Sequence, residues 1–254
     1  MKNLLILFIT AITLFACSTP EYKITGVIDG AEDGDSVMLG YSSNGIDFTT
    51  VAKTTIENGE FVFNGKQDGC KIYYIGYETE EAPIYALFFL EPGEIKAEIA
   101  PDYSYITGTP MNDLNIQVED SLESYVMKML SLQDVLYRDS TMSEENYAEI
   151  SNKNNLIQRQ AMEYIQGVIR DNIDNMVGLF LLAQYNDLFD DNELATLLAA
   201  VPEECQDSDN NPLYDILLEV QEYRNNPSTF DELMNSIEEE GDNISDETNT
   251  DIVE

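Results

Sequence analysis

The chain has 254 residues, with 49 Asp+Glu against 12 Lys+Arg, 3 Cys and neither His nor Trp, for a net charge of −37. The absence of His excludes Ser-His-Asp and Cys-His nucleophile systems, imidazole bases and His-containing metal sites. The charge excludes nucleic acid, whose phosphates need clustered Lys and Arg, and disfavours docking on anionic lipid by electrostatics alone. At 43% apolar residues, one large domain or two modest ones can still build real cores.

Residues 1–16 read as a secretory signal. Lys2 and Asn3 form a short n-region, and Leu4 to Phe15 form an apolar run, too short for the roughly 20 residues of a membrane-spanning helix. The run ends in Leu14-Phe15-Ala16-Cys17, which resembles the lipobox of bacterial lipoproteins. Cys17 is therefore the expected site of lipidation and the first residue of the mature chain, followed by a tether over residues 17–21. Several acyl chains at roughly 0.8 kcal/mol per buried CH₂ anchor a protein firmly. The expected address is the outer membrane, on its periplasmic face or at the cell surface.

From residue 22 to 107 the pattern has period two, broken by Gly and Asx turns. Tyr22, Ile24, Gly26 and Ile28 open it, and Val37, Leu39 and Tyr41 follow the Asp29–Asp35 connection, which reads as a turn rather than a metal site. Asn44-Gly45 and Asn58-Gly59 are hairpin signals, because a type I′ turn needs positive φ at both central residues. Further strands are expected over 48–56, 61–63, 71–77, 84–90, 95–99 and 103–107. Seven or eight strands at this spacing predict an antiparallel sandwich or small barrel.

At Gly108-Thr109-Pro110 the period changes, with Thr109 as the expected cap and Pro110 in the first turn. Leu114, Val118, Leu122, Tyr125, Met129, Leu132 and Leu136 form one apolar stripe at helical spacing. Thr141 and Glu144 suggest a capping box for a second helix, with Tyr147, Ile150, Ile157, Ala161, Tyr164, Ile165 and Val168 inward. The short link makes the pair an antiparallel αα-hairpin. Shorter helices are expected over 177–185, 192–200 and 212–223, the last capped by Asn211. The fold class is thus α+β, with a β domain over 22–107 and a helical domain over 108–225. Residues 226–254 carry ten acidic side chains and no Lys or Arg, the composition of a disordered tail.

Ile24-Thr25-Gly26, Gly34-Asp35-Ser36-Val37-Met38-Leu39, Asn58-Gly59-Glu60-Phe61-Val62-Phe63-Asn64-Gly65, Leu90-Glu91-Pro92-Gly93-Glu94-Ile95 and Gly108-Thr109-Pro110-Met111-Asn112-Asp113 together resemble the N-terminal region of secreted, lipid-anchored thiol:disulfide interchange proteins of the thioredoxin-like type. That region is a β domain of unknown function followed by a helical stretch, and Asn172-Ile173-Asp174-Asn175, leading into Gly178 to Leu182, resembles the end of that stretch. The resemblance runs over about residues 22–190. The fuller relatives continue into a thioredoxin-like domain with a Cys-x-x-Cys site. Here no Cys-x-x-Cys and no βαβ pattern follow Tyr223, so the family's redox residues have no positions to receive them. The resemblance implies the fold and an extracytoplasmic compartment rather than oxidoreductase activity.

With Cys17 lipidated, Cys70 and Cys205 remain. The first reading is two unpaired thiols, and the alternative is a structural disulfide tying the β half to the helices, which an oxidising compartment permits. Glu203, Glu204 and Asp207 should raise the Cys205 thiol pKa, away from a reactive thiolate. Asp207-Ser208-Asp209-Asn210-Asn211 begins like a calcium loop, but Pro212 and Leu218 stand where an EF-hand needs Gly and Glu. No phosphate loop, nucleophile elbow or zinc motif is present in the sequence, so neither metal nor cofactor is expected. Tyr73, Tyr74, Tyr77 and Tyr85 are candidate ligand-facing aromatics, set against the plainer reading that Tyr suits half-buried strand positions. The reading is a non-enzymatic, lipid-anchored envelope module that recognises a partner protein or an extracytoplasmic ligand. The alternatives are an accessory to thiol–disulfide exchange and a glycan-binding lipoprotein.

Overall fold

The computed structural model describes residues 21–42, 48–66, 69–79, 82–138, 142–206 and 211–226. The signal, Cys17, the Asn44-Gly45 turn, Thr141, most of the calcium-like run and the acidic tail from residue 227 lie outside them. The strands are β1 (Glu21–Ile28), β2 (Ser36–Ser42), β3 (Phe48–Thr55), β4 (Phe61–Lys66), β5 (Ile72–Tyr77), β6 (Ile84–Phe89), β7 (Gly93–Ala100) and β8 (Tyr103–Thr107). The helices are α1 (Pro110–Arg138), α2 (Glu144–Asn172), α3 (Met176–Tyr185), α4 (Asp191–Ala200) and α5 (Pro212–Asn225). The fold is α+β, and the strands form two four-stranded sheets rather than a closed barrel. One sheet has the order β4-β1-β7-β8 and the other β3-β2-β5-β6.

Alternation drives both sheets inward. Ile24, Leu39, Phe61, Ile75, Phe88 and Ile95 are essentially removed from solvent and meet in one core between the sheets. Asn58 and Gly59 both take positive φ, 56° and 79°, and turn the chain into β4 as their sequence predicts. The expectation of purely antiparallel pairing needs correction, because β1 runs parallel to β7, with Tyr22 opposite Gly93 and Ile28 opposite Ile99. β6 brings the chain back to the end where β1 starts, and Gly93, at φ 131°, reverses it there. Both strands then leave from the same end.

Strand β6 serves two cores at once. Ala86 and Phe88 point between the sheets, while Leu87 and Phe89 point outward into a second core with the helices. That core centres on α3, apolar on all sides, with Val177, Leu179 and Leu182 fully buried against Ile165, Ile169, Leu194 and Leu217. Gly178 is required there, since a Cβ would sit 1.9 Å from the Asn172 carbonyl oxygen. Asn112 pins the helices to the sandwich. Its Oδ1 accepts from Phe89 N at 3.0 Å, and its Nδ2 donates to Phe89 O and Thr109 Oγ1, both at 2.7 Å. Beside it the Glu91 carboxylate accepts from Met111 N at 2.6 Å, and burial pushes its pKa up.

Two helix details differ from expectation. Ser143, not Thr141, caps α2, its side chain accepting from Asn146 N; the hydroxyl directly before the first turn takes the role. Tyr147, in the first turn of α2, is exposed rather than inward. Asn211 caps α5 ahead of Pro212, its side chain accepting from Leu213 N.

Candidate functional site

The strand ends divide the sandwich into two poles. β1, β5 and β7 start, and β6 and β8 finish, at the pole carrying the helices. At eight residues, β1 carries the chain about 25 Å from that pole to the opposite one. There the ends of β1, β5 and β7 and the starts of β2, β6 and β8 surround a cleft of about 1180 Å³.

Its walls carry Asp29, Glu32, Asp35, Glu78 and Asp102 beside Tyr77, Tyr85 and Tyr103, with no Lys or Arg among the lining residues. The Asp29–Asp35 turn holds itself with its own carboxylates. Asp35 Oδ2 accepts from Glu32 N at 2.9 Å and from the Tyr77 hydroxyl at 2.7 Å, and Asp33 Oδ1 accepts from Gly59 N at 2.8 Å. The Glu32 amide, and after it the Tyr77 hydroxyl, hold the Asp35 carboxyl below the usual carboxylate range. The same bond pushes the Tyr77 phenol up. An ionised Asp35 thus fixes the Tyr77 ring at the cleft wall.

The four tyrosines singled out in the sequence separate. Tyr73 is no ligand-facing residue: it is 3% exposed and packs between Tyr41 and Phe88 in the core, with ring centroids 6.0 and 6.1 Å away. Tyr77 is half-buried at the cleft. Tyr85, 47% exposed, borders the cleft and continues onto the outer face of its sheet. There it joins half-buried Tyr74 around Phe48, at centroid distances of 5.1 Å for Tyr85 and 6.2 Å for Tyr74. Two of the rings lie over glycines: a Cβ at Gly40 would meet the Phe48 ring at 2.5 Å, and one at Gly76 the Tyr85 ring at 3.2 Å. The rings are inclined to one another, by 46° for Phe48 and Tyr85 and 69° for Phe48 and Tyr74. Phe48 and Tyr103 are not legible in the sequence, since single aromatics beside turns carry no periodic signal of their own.

At the opposite pole, Cys70 and Cys205 are joined by a disulfide, with Cα atoms 5.0 Å apart. This corrects the first reading of two unpaired thiols. The reason is tertiary: helices packed on the outer face of β5 and β6 carry the 3₁₀ turn Glu203–Cys205 back to the approach of β5. A cavity of about 320 Å³ lies beside the bond, lined by Met111, Met176, Asp174 and Glu204 among others.

Among the described residues no cluster of three or more Cys, Asp and Glu side chains is arranged to hold a metal ion, and no helix is long and apolar enough to cross a membrane. Among curated proteins none matches this chain. Residues 22–115, from β1 through β8 into the first turns of α1, match the family described as a domain of unknown function (DUF4369).

Proposed function

We propose that the protein is a lipid-anchored envelope module that recognises a partner protein through its acidic, tyrosine-lined cleft and performs no chemistry of its own. The single observation that carries this reading is the cleft's composition and place. Among the described residues five carboxylates and three tyrosines line it with no Lys or Arg, at the pole remote from Glu21, where the described chain begins. An anchor at Cys17 holds the opposite pole toward the membrane and leaves the cleft facing outward. Carboxylates beside aromatic faces suit Lys and Arg side chains, which gain Coulombic and cation–π attraction together. The resemblance to the N-terminal region of thiol:disulfide interchange lipoproteins supports the compartment, as does a disulfide between the two halves.

The test places a photo-crosslinking residue at Tyr85 or Tyr103 in intact cells, with Val62, exposed on β4 and outside the cleft lining, as the control. A partner captured at the first two positions and not at Val62, with capture weakened by salt, is the expected result. Equal capture at all three removes the reading. Incorporation of labelled palmitate, abolished by Cys17→Ser, tests the anchor separately.

One observation favours a second reading, a glycan-binding lipoprotein. In the Phe48–Tyr74–Tyr85 patch over Gly40 and Gly76, the exposed Tyr85 offers a ring for stacking on a sugar, with Phe48 and Tyr74 inclined beside it. Oligosaccharide binding lost in Tyr85→Ala and retained in a cleft variant such as Asp102→Asn would favour it over the first.

A further inference from the structure

The Cys70–Cys205 bond is one part of a larger gathering of sulfur. Met176 Sδ lies 3.3 Å from Cys70 Sγ. A half-cystine has no S–H to donate, so this is contact between two soft, polarizable atoms. Met111 lines the same cavity. Cys205 and Met176 are each 3% exposed, while Cys70 is half-buried, so the cluster opens to solvent on the Cys70 side. Three sulfurs from distant points of the chain thus meet at the seam between sandwich and helices, with Met111 lining the cavity beside them. Asn211 braces the arrangement, its Nδ2 2.9 Å from Cys205 O and 3.7 Å from Met176 Sδ.

We propose that, with its disulfide reduced, this cluster binds one monovalent copper ion, through the thiolates of Cys70 and Cys205 and the thioether of Met176. Thiolate and thioether are the ligands that select Cu(I), and three of them provide a trigonal sulfur set. The reductant is a dithiol, protein or small molecule. It delivers two electrons and two protons to the S–S bond, which breaks to give two thiols, and the dithiol leaves as its own disulfide. Cu(I) then displaces those two protons and forms two copper–thiolate bonds, with no change in oxidation state. The 5.0 Å Cα separation suits two sulfurs sharing one ion at metal–sulfur distances of roughly 2.3 Å. Asp174 and Glu204 nearby disfavour free thiolates, but a bound cation reverses that preference. The disulfide therefore closes the site, and reduction opens it.

The test uses the full-length protein, reduced with dithiothreitol, desalted without oxygen and titrated with Cu(I) against bicinchoninate as competing chelator. Reduced protein is expected to withdraw one equivalent of copper and oxidised protein none. X-ray absorption should count three sulfur neighbours, falling to two in Met176→Leu, with affinity weakened about tenfold or more. Reduced protein holding no more copper than oxidised protein overturns the proposal. So does a Met176→Leu variant matching the wild type in affinity and sulfur count. The oxidised and reduced forms are the same polypeptide, so the first comparison stands even if the variant folds poorly.

Discussion

The β-sandwich and the αα-hairpin carry comparable apolar patterns, yet they bury them very differently. In the sandwich, alternate residues from both sheets close on one another, and Ile24, Leu39 and Phe61 are fully removed from solvent. In the hairpin, burial ends at Val118 on α1 and resumes only at Ile165 on α2. Every described residue between them is half-buried or exposed. Val126, Met127, Leu130 and Tyr137 remain open on the flank of α1. Beyond Leu122 the stripe on α1 faces α2 alone, whereas each inward-facing residue of the sandwich is enclosed by the second sheet. A periodic pattern therefore specifies which side faces a partner, while the number of layers sets how much that contact stabilises. The helices, each 29 residues and so about 43 Å long, should open locally well before the sandwich unfolds.

Point substitutions test this contrast directly. Phe61→Ala should cost about 3–5 kcal/mol, the usual range for emptying a fully buried aromatic site, read from urea unfolding. Asn112→Ala, at the joint between the two regions, leaves Phe89 N and O without their side-chain partner. With each stranded buried group worth about 1–3 kcal/mol, the loss should be about 2–4 kcal/mol, with faster hydrogen exchange along the start of α1. Leu132→Ala, within the half-buried hairpin stripe, should cost about 1 kcal/mol or less. A cost equal to that of Phe61→Ala would erase the distinction between the regions.

The smallest effect concerns the cleft. Asp35 titrates below its ordinary range, so its contribution to stability is present above the unfolded-state pKa and is lost as pH falls through the folded one. Tyr77→Phe removes one of its two donors and should move the Asp35 titration upward toward the ordinary value, read by carboxyl chemical shift. The Glu32 amide remains in the variant, so the return should be partial. An unmoved titration would mean that the hydroxyl does not hold Asp35 ionised.

Of the candidate sites, the sequence showed the residue types more clearly than their grouping. Tyr73 and Tyr74 are neighbours in a strand with apolar residues at both parities, and period two cannot say which parity faces inward. Sheet β3-β2-β5-β6 is covered on its outer side by helices at one end, which is why both faces of β5 read as buried. The carboxylates of the cleft were visible as turn residues, yet their convergence depends on six strand ends meeting at one pole. Met176 bore no signal at all, because a Met opening an apolar helix reads as core.

What the amino-acid order determined by itself is local: where strands and helices begin and stop, through Asx-Gly turns, Pro at helix starts, caps and hydrophobic period. These features depend on backbone dihedrals and neighbours a few residues apart. Tertiary structure alone decided the parallel pairing of β1 with β7, the joining of Cys70 to Cys205 across 135 residues, and the opening of a carboxylate-rich cleft far from the helices. Each of these brings together groups remote along the chain, and their meeting is set by how two layers and a helical core close on a shared sheet.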